Sequence, residues 1–572
     1  MKHLTGPQGA LMPRSKKVLF LLTVAAFFIP ATFDPTTASS SQDKGSLSQD
    51  HKILHTLTRL GFGPRPGDMQ SVRDMGLTAY IESQLHPEDI ADKECDLILA
   101  GYPTLAMSSQ ELYKAFPPAK LTTKNPDGKR SNQKIKKILQ ELAEAKLARA
   151  VKSERQLNEV MVDLWYNHFN VTFQKNLCKW LVTSYERDTI RPHALGRFRD
   201  LLGAVAHSPA MMAYLDNAQS SVDTRFVPED LVMENKAMAA MMDKAKANNK
   251  KMGLNENYAR ELMELHTLGV DGGYTQDDVI NAARVLTGWS LVGAKPAKMS
   301  GKVPMMSGNR RGSGKVKVMQ QPFTFIFRPT MHDPGDKTVL GKKFGPNDGM
   351  REGEELLDML ARHPHTAAFI ATKLCRRFVS DDPPAALVKR VAQRFLATDG
   401  DIKETLRALF GSPEFFDQAN FRSKVKSPFE FMVSALRATD AEVDQPARLV
   451  QVLAQMGEPP FLCEPPTGYS DNSSAWVSSG ALLDRTNFSM ALFSHSDKSP
   501  AHAQIEQTQG SDQELVESLY AFLLHGTVSD STKHILANKL KDPGTDDTSR
   551  SGDSRAVRLA ALVMSSPDFQ RR

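Results

Sequence analysis

Ionisable side chains fall within the apolar stripes of several predicted helices. At about 100° per residue, His168 lies in the middle of a stripe formed by Val160, Leu164 and neighbouring apolar residues. On another predicted helix, Glu261 lies between two leucines and His266 flanks the same stripe. An ionised group in an apolar core is poorly solvated unless it is paired. These inward-facing groups therefore require partners, which other helices must supply.

In a purely structural interpretation, Arg191 or Arg284 binds Glu261, and a backbone carbonyl holds His168. Such buried networks perturb side chains without performing chemistry. In a metal-binding version, Glu261 and His168 share an ion with Asp188, which points into the stripe of a third helix. The sequence lacks the Glu-x-x-His spacing of di-iron bundles, which disfavours a metal centre of that kind. The sequence specifies neither a metal nor a cofactor.

In a catalytic interpretation, Glu261 and His168 converge in one cleft as a general acid–base pair. Asn167 or His266 would then hold the orientation of the pair. The strings G-x-S-x-G, H-E-x-x-H and G-x-x-x-x-G-K-[ST] are absent from the sequence, which excludes the common serine hydrolase, zinc peptidase and P-loop signatures.

Two loop features are further candidates. His332 and Asp333 begin the segment His-Asp-Pro-Gly-Asp-Lys337, and polar clusters on loops often carry function. The same residues are equally compatible with an ordinary Asp-Pro-Gly turn. Trp289, beside a glycine, could stack on a sugar if it is exposed, although a core position is the more common fate of a tryptophan.

The elements that must position these residues are predicted to be helices. We expect a mainly α fold, a multi-helix array with short helix-turn-helix connections and little or no β structure. Capping boxes at Ser427–Glu430 and Thr275–Asp278 mark two helix starts. Ser-Pro pairs at residues 208, 412 and 566 each predict the start of another helix. The best strand-like run is residues 323–327.

The N-terminus predicts export. Four basic residues and no acid lie within residues 1–31, where an apolar run follows Lys17 and is broken by Pro30. This run is too short to span a bilayer and is typical of a secretory signal peptide ending at Ala31 or Ala38. An uncleaved anchor is the alternative. No later segment is apolar for long enough to cross a membrane, so we predict a periplasmic or extracellular protein with no integral span after signal cleavage.

The signal segment also accounts for most of the net charge. The formal charge of the 572 residues is +6, and removing the four basic residues of the signal leaves +2. The nearly neutral body predicts no nucleic-acid partner. The four cysteines lack C-x-x-C spacing, so they form either up to two disulfides in an oxidising compartment or buried thiols. They are Cys95, Cys178, Cys375 and Cys463.

Composition shifts divide the chain into six predicted segments. These are the signal peptide (1–31), a polar linker (32–51), an N-terminal helical region with the candidate site (52–290), a basic flexible loop (291–330), a middle helical region (331–440) and a C-terminal helical region (441–572). Residues 118–136 and 241–253 are also predicted to be mobile.

Several strings together resemble the bacterial domain of unknown function 1800 family. They begin at His55-Thr-Leu-Thr-Arg-Leu-Gly-Phe-Gly63 and include Trp165-Tyr-Asn-His-Phe-Asn-Val171, Asn257-Tyr-Ala-Arg-Glu-Leu-Met-Glu-Leu-His-Thr-Leu-Gly269, Tyr274-Thr-Gln-Asp-Asp-Val279, Leu286-Thr-Gly-Trp289, His332-Asp-Pro-Gly-Asp-Lys337 and Gly468-Tyr-Ser-Asp471. The resemblance implies a predominantly helical, exported bacterial protein that often accompanies another exported family of unknown function. It supplies no established reaction and no catalytic residue to carry over.

Two functions of different class follow from these observations. The first is a hydrolase or lyase that acts on a cell-envelope or extracellular polymer through the Glu261–His168 pair. The alternative is a non-catalytic envelope assembly or scaffold protein, which would use the basic loop to bind a co-exported partner.

Overall fold

Helices dominate the chain, as the sequence predicts. The computed structural model describes residues 47–118, 129–223, 239–240, 253–293, 321–346, 348–443, 445–494, 511–540 and 555–572. Of these residues 64% are helical, and 4% lie in two small two-stranded sheets. The predicted fold class is therefore confirmed. The signal segment, most of the basic loop and the 241–252 stretch lie outside the described residues.

The α-helices of the first half are α1 (Gln49–Arg59), α2 (Asp68–Met75), α3 (Leu77–Leu85), α4 (Lys93–Leu99), α5 (Ser109–Ala115), α6 (Lys129–Lys152), α7 (Gln156–His168), α8 (Cys178–Ser184), α9 (Phe198–His207), α10 (Pro209–Tyr214), α11 (Glu256–Glu261) and α12 (Gln276–Val285). Those of the second half are α13 (Met350–Ala361), α14 (Pro364–Phe378), α15 (Ala385–Ala397), α16 (Ile402–Phe410), α17 (Pro428–Ala438), α18 (Pro446–Gln455), α19 (Ser479–Ser494), α20 (Asp512–Leu523), α21 (Asp530–Leu540), α22 (Arg555–Ser565) and α23 (Pro567–Gln570). The strands are β1 (Trp289–Leu291), β2 (Phe325–Phe327), β3 (Lys337–Val339) and β4 (Lys342–Phe344).

Local capping explains where several helices begin. Both predicted capping boxes are present, at the starts of α17 and α12. Ser208-Pro209 and Ser566-Pro567 begin helices, as predicted, but Ser412-Pro413 begins only a turn. The prediction for residues 118–136 is wrong in part, because α6 already starts at Lys129.

Two helices widen into π-helical turns, and this changes which side chains face inward. Residues Tyr185–Ile190 continue α8 as a π-helix, and Leu262–Thr267 do the same after α11. A π-helix carries more residues per turn than an α-helix, so angles extrapolated at 100° per residue fail there. The prediction for Asp188 is wrong for this reason: its side chain is 54% exposed and pairs with Arg187 at 2.6 Å.

Both sheets are antiparallel and short. Strand β1 pairs with β2, with Ser290 opposite Ile326, so both ends of the predicted basic loop are held in one sheet. Strands β3 and β4 form a hairpin whose turn residue Leu340 has φ of 50°. The backbone N–H of Leu340 donates to Asp278 Oδ1 at 2.7 Å. This bond ties the hairpin to the start of α12.

One apolar core extends through most of the described chain. It runs from Leu60 in the sequence to Phe569 and includes residues of α7, α9, α14, α17 and α22. The chain from Ser46 to Arg572 forms one compact unit around it, and the predicted divisions at 290, 330 and 440 stay predictions. Within the described part of the chain, no helix has the length and apolar character needed to cross a membrane.

Candidate functional site

The two predicted histidines of the site are neighbours in the core. His168 ends α7, and its Nε2 lies 3.2 Å from the carbonyl oxygen of His266. A carbonyl only accepts, so this nitrogen carries the proton. Both side chains are 3% exposed. Burial, followed by the charge of Lys373, lowers the pKa of His168 well below its usual range, and burial lowers the pKa of His266 to about 3. Both rings are therefore neutral, and His168 is held by a carbonyl as the structural interpretation predicts.

Glu261 does not join this histidine pair. It ends α11 and is half-buried. Burial and then Glu264 raise the pKa of Glu261, while Arg260 lowers it. Among the described residues, no hydrogen bond or ion pair connects Glu261 with His168, and Arg191 binds two other carboxylates. The predicted acid–base pair is thus not assembled by direct contact.

His332 belongs to a separate buried network. Its Nδ1 lies 2.9 Å from the carbonyl oxygen of Thr287, and its Nε2 lies 3.2 Å from Glu352 Oε1. The ammonium of Lys337 donates to Glu352 Oε2 and to the carbonyl oxygen of Asp333, both at 2.6 Å. The side chains of Glu352 and Lys337 are 1% and 0% exposed. Their charges are therefore compensated within the core.

Asp333 completes the same network. Arg284 Nε donates to Asp333 Oδ2 at 2.7 Å, and the backbone N–H of Gly335 donates to Asp333 Oδ1 at 2.9 Å. The segment thus contains the Asp-Pro-Gly turn that the sequence allows, with its carboxylate turned inward. Nearby, Trp289 is fully buried and stacks on His207, with ring centroids 4.7 Å apart. Trp289 therefore has the core position that the sequence made the more common expectation, and it offers no exposed surface to a sugar.

Asn167 connects α7 to a distant loop. Its Nδ2 donates to the carbonyl oxygen of Tyr469 at 2.8 Å, and its Oδ1 accepts from the Tyr469 N–H at 2.7 Å. Asn170 donates to the carbonyl oxygen of Cys463 at 2.9 Å. Gly468 has φ of 71°, and a Cβ there would overlap the Asn167 carbonyl oxygen. Two separate motifs of the sequence, around residues 165–171 and 468–471, thereby form one structural unit.

This loop forms one wall of an open cleft, which we call the Glu458 cleft. Its empty volume is about 750 Å³, counted out to the mouth. Of the predicted site residues, Asn167 lines it. Other lining residues are Lys146, Asp163, Arg377, Glu430, Glu458, Tyr469, Asp471, Trp476 and Arg572. Tyr469 and Trp476 are both partly exposed, and their ring centroids lie 6.2 Å apart.

Glu458 is a carboxyl group of the cleft whose pKa is strongly raised. It follows α18, and its Oε2 accepts from the backbone N–H of Phe429 at 2.8 Å. The pKa of Glu458 is raised to about 7. Burial is the main cause, the hydrogen bond from Phe429 opposes it, and the negative charge of Asp163 adds to it. A carboxyl group with such a pKa exchanges a proton near neutral pH.

The other charged groups of the cleft are paired. Asp163, on α7, accepts from the ammonium of Lys146 at 2.5 Å. Glu430 binds Arg377 and lies 3.1 Å from Arg572 Nη1. Burial opposes these arginines, but their charges dominate and lower the pKa of Glu430 to about 2. The cleft thus holds a carboxyl group that is protonated near neutrality beside a lysine-paired carboxylate.

Sequence reasoning missed the main residues of this cleft. Asp163 borders the motif at residues 165–171, and its position beside that motif was a usable signal. Glu458 carries no such signal, since it follows a helix and precedes two prolines like many loop residues. Lys146, Arg377 and Arg572 come from three other parts of the chain, and only folding brings them together.

Neither a metal centre nor a disulfide is found in the described part of the chain. No group of three or more His, Cys, Asp and Glu side chains there is arranged to hold a metal ion. All four cysteines are free and buried, which agrees with the buried-thiol alternative. Burial raises the pKa of the thiols of Cys95, Cys178 and Cys375 to about 12 and of Cys463 to about 11.

Comparison with known proteins identifies a family but no characterised relative. Neither a curated protein nor a solved structure gives a significant match to the chain. The family model described as "Protein of unknown function (DUF1800)" matches residues 55–571, nearly the whole chain. The buried histidines, Asn167 and Glu458 all lie within that span. The chain belongs to the DUF1800 family.

Proposed function

We propose that this protein is an exported hydrolase that cleaves glycosidic bonds of a cell-envelope or extracellular polysaccharide in the Glu458 cleft. The observation that carries the proposal is the carboxyl group of Glu458, whose pKa of about 7 lets it act as a proton donor at neutral pH. This assigns the acid role to Glu458 and leaves the predicted pair of Glu261 and His168 outside the chemistry.

The neighbouring groups fit the requirements of glycoside hydrolysis. That reaction uses two carboxyl groups, one protonated and one ionised. Asp163 lines the same cleft and contacts the Lys146 ammonium. Its charge is close enough to raise the pKa of Glu458. Glu458 and Asp163 are therefore electrostatically coupled carboxyl groups in one cleft.

The lining of the cleft suits a carbohydrate. Tyr469 and Trp476 provide amphipathic rings on which a sugar can stack, and both remain partly exposed. Asn167 and Asn170 hold the loop that carries Tyr469, so this wall is fixed before substrate binds. Preorganised walls lower the ordering cost of binding.

Hydrolysis in the cleft would use Glu458 as the proton donor and Asp163 as the proton acceptor. Glu458 gives its proton to the glycosidic oxygen as the bond from that oxygen to the anomeric carbon breaks. Asp163 accepts a proton from water, and the resulting hydroxide adds to the anomeric carbon. Exchange with solvent then returns the proton from Asp163 to Glu458.

The test is the release of reducing ends from a panel of polysaccharides by the purified protein. The panel contains neutral glucans, uronate polymers and peptidoglycan strands. We expect cleavage of one class, and a loss of roughly 100-fold or more for Glu458→Gln with a melting temperature no lower than that of the parent protein. The matched control is Glu464→Gln, an exposed carboxyl group on the same loop, which should retain activity.

The outcome also decides between the two classes of function. If no polymer in the panel is cleaved, or if Glu458→Gln cleaves as well as the parent protein, the hydrolase proposal is wrong. The envelope scaffold that binds a co-exported partner would then be preferred. Most of the basic loop that would carry that role, residues 294–320, lies outside the described residues.

A further inference from the structure

A second cavity, which we call the Lys426 cavity, lies where the segment before α17 pairs with the end of the described chain. Residues 424–426 and 570–572 exchange backbone hydrogen bonds there, including Lys426 N–H to the Gln570 carbonyl at 2.9 Å. The cavity has an empty volume of about 430 Å³, counted out to its mouth. Leu54, Leu523 and Phe569 are among its apolar lining residues. The cavity is therefore accessible from solvent.

The charged side chains of the cavity are unbalanced. Its cationic lining residues are Arg422, Lys426, Arg571 and Arg572, whereas Asp568 is its one carboxylate side chain among the described residues. Asp568 Oδ1 contacts Arg422 at 3.1 Å. Its other oxygen accepts from Ser529 N–H at 3.1 Å and from Ser529 Oγ at 2.7 Å, at the start of α21. The carboxylate of Asp568 is therefore already paired with Arg422 and hydrogen-bonded to Ser529.

Lys426 is the least compensated of these cations. It is 5% exposed, its Nζ donates to Ser434 Oγ at 2.7 Å, and it lies 4.3 Å from the centroid of the Phe569 ring. Within the described residues no carboxylate forms an ion pair with it. An ammonium group has three donors, so the hydrogen bond to Ser434 leaves donors unused. Arg572 is also 5% exposed, and its Nε has no hydrogen-bond partner in the part of the chain that the structure describes.

The pKa values of Lys426 and Arg572 reflect the same excess of positive charge. Burial and then the charge of Arg422 lower the pKa of Lys426 to about 7. Burial and then the charge of Arg377 lower the pKa of Arg572 to about 10. Arg572 already contacts Glu430, whereas Lys426 has no counter-charge among the described residues. Burying a charge without a counter-charge is costly, and a bound anion would supply it for Lys426.

We propose that the Lys426 cavity binds a tetrahedral oxyanion, a phosphate or sulfate group, through Lys426, Arg571 and Arg572. Such an anion carries several acceptor oxygens and matches the unused donors of Lys426 and Arg572. Hydrogen bonds between ionised partners are the strong ones, and arginine suits the geometry of phosphate oxygens. The oxyanion is either the free inorganic ion or an ester on a larger molecule, and both present the same oxygens to the cavity.

The test is equilibrium dialysis of the full chain against radiolabelled inorganic phosphate at constant ionic strength. We expect saturable binding of one ion per chain. Lys426→Met should weaken binding by roughly tenfold or more, the loss expected for a charged hydrogen bond. Arg571 is exposed, so Arg571→Gln should weaken binding without disturbing the fold if Lys426→Met fails to fold. The control Arg351→Gln removes an exposed arginine that pairs with Glu355, and it should bind phosphate normally.

Competition then separates the two sources of the oxyanion. Stronger displacement of the label by glycerol phosphate than by unlabelled phosphate supports an ester, and the reverse supports the free ion; sodium sulfate tests the sulfate version. The proposal is overturned if labelled phosphate shows no saturable binding and neither glycerol phosphate nor sulfate binds in its place. It is also overturned if neither Lys426→Met nor Arg571→Gln weakens the binding. Glu458→Gln should bind phosphate like the parent protein, so the two proposals fail independently.

Discussion

Replacing Glu458 by glutamine tests the electrostatics of the cleft apart from any substrate. Glutamine has nearly the same shape as glutamate, and its carbonyl oxygen can still accept from the Phe429 N–H. What the substitution removes is the ability to ionise. The prediction therefore concerns how the free energy of unfolding varies with pH.

The size of the effect follows from the pKa of Glu458. In the folded protein this pKa is about 7, against an ordinary value of 4.5. Because the folded value is the higher one, the folded state binds the proton more tightly, so stability is greatest below pH 4.5 and falls as the pH rises through 7. The difference corresponds to on the order of 3 kcal/mol. This is an upper value, since Glu458 is only partly buried.

Chemical unfolding between pH 4.5 and 8.5 measures this difference. Glu458→Gln should match the parent protein at the acid end and become progressively more stable than it towards pH 8.5. Glu464→Gln is the control and should show no such trend at neutral pH. A stability difference between Glu458→Gln and the parent that stays constant across this range would refute the assignment of a proton near neutrality to Glu458.

Three further predictions concern the core. Gly353→Ala should lower the melting temperature and cost about 1–3 kcal/mol or more, because a Cβ at this position would overlap Cζ2 of the buried Trp289 ring; an unchanged melting curve would contradict the tight contact. Lys337→Met should destabilise the protein by about 3–5 kcal/mol in denaturant titrations, because it leaves Glu352 charged and buried, and adding Glu352→Gln should recover part of the loss. The four cysteines are free and buried, so Ellman's reagent should detect almost no thiol in the native protein and four thiols in the non-reduced, denatured protein; fewer than four would indicate a disulfide.

The predicted site and the observed cleft share one residue, Asn167. They differ because helix geometry and contacts between distant residues determine which side chains meet. On a regular helix, the direction of each side chain can be extrapolated at about 100° per residue. This extrapolation correctly predicted that His168 faces the core. The same extrapolation failed for Asp188, because the helix widens into a π-turn at Tyr185–Ile190. Glu458 was missed because its proton affinity depends on burial and on Asp163, which lies far away in the chain.

The sequence by itself determined the features that depend on neighbours along the chain. The helical repeat set the fold class, and the capping boxes at Ser427 and Thr275 set two helix starts, because these bonds form within one turn of backbone. Tertiary structure decided which distant groups share a dielectric environment. Glu458 reaches the start of α17, and Arg572 reaches Glu430, only after the core has closed around them. Burial and long-range charge change a proton affinity only when those groups are assembled, so the cleft's chemistry exists only in the folded chain.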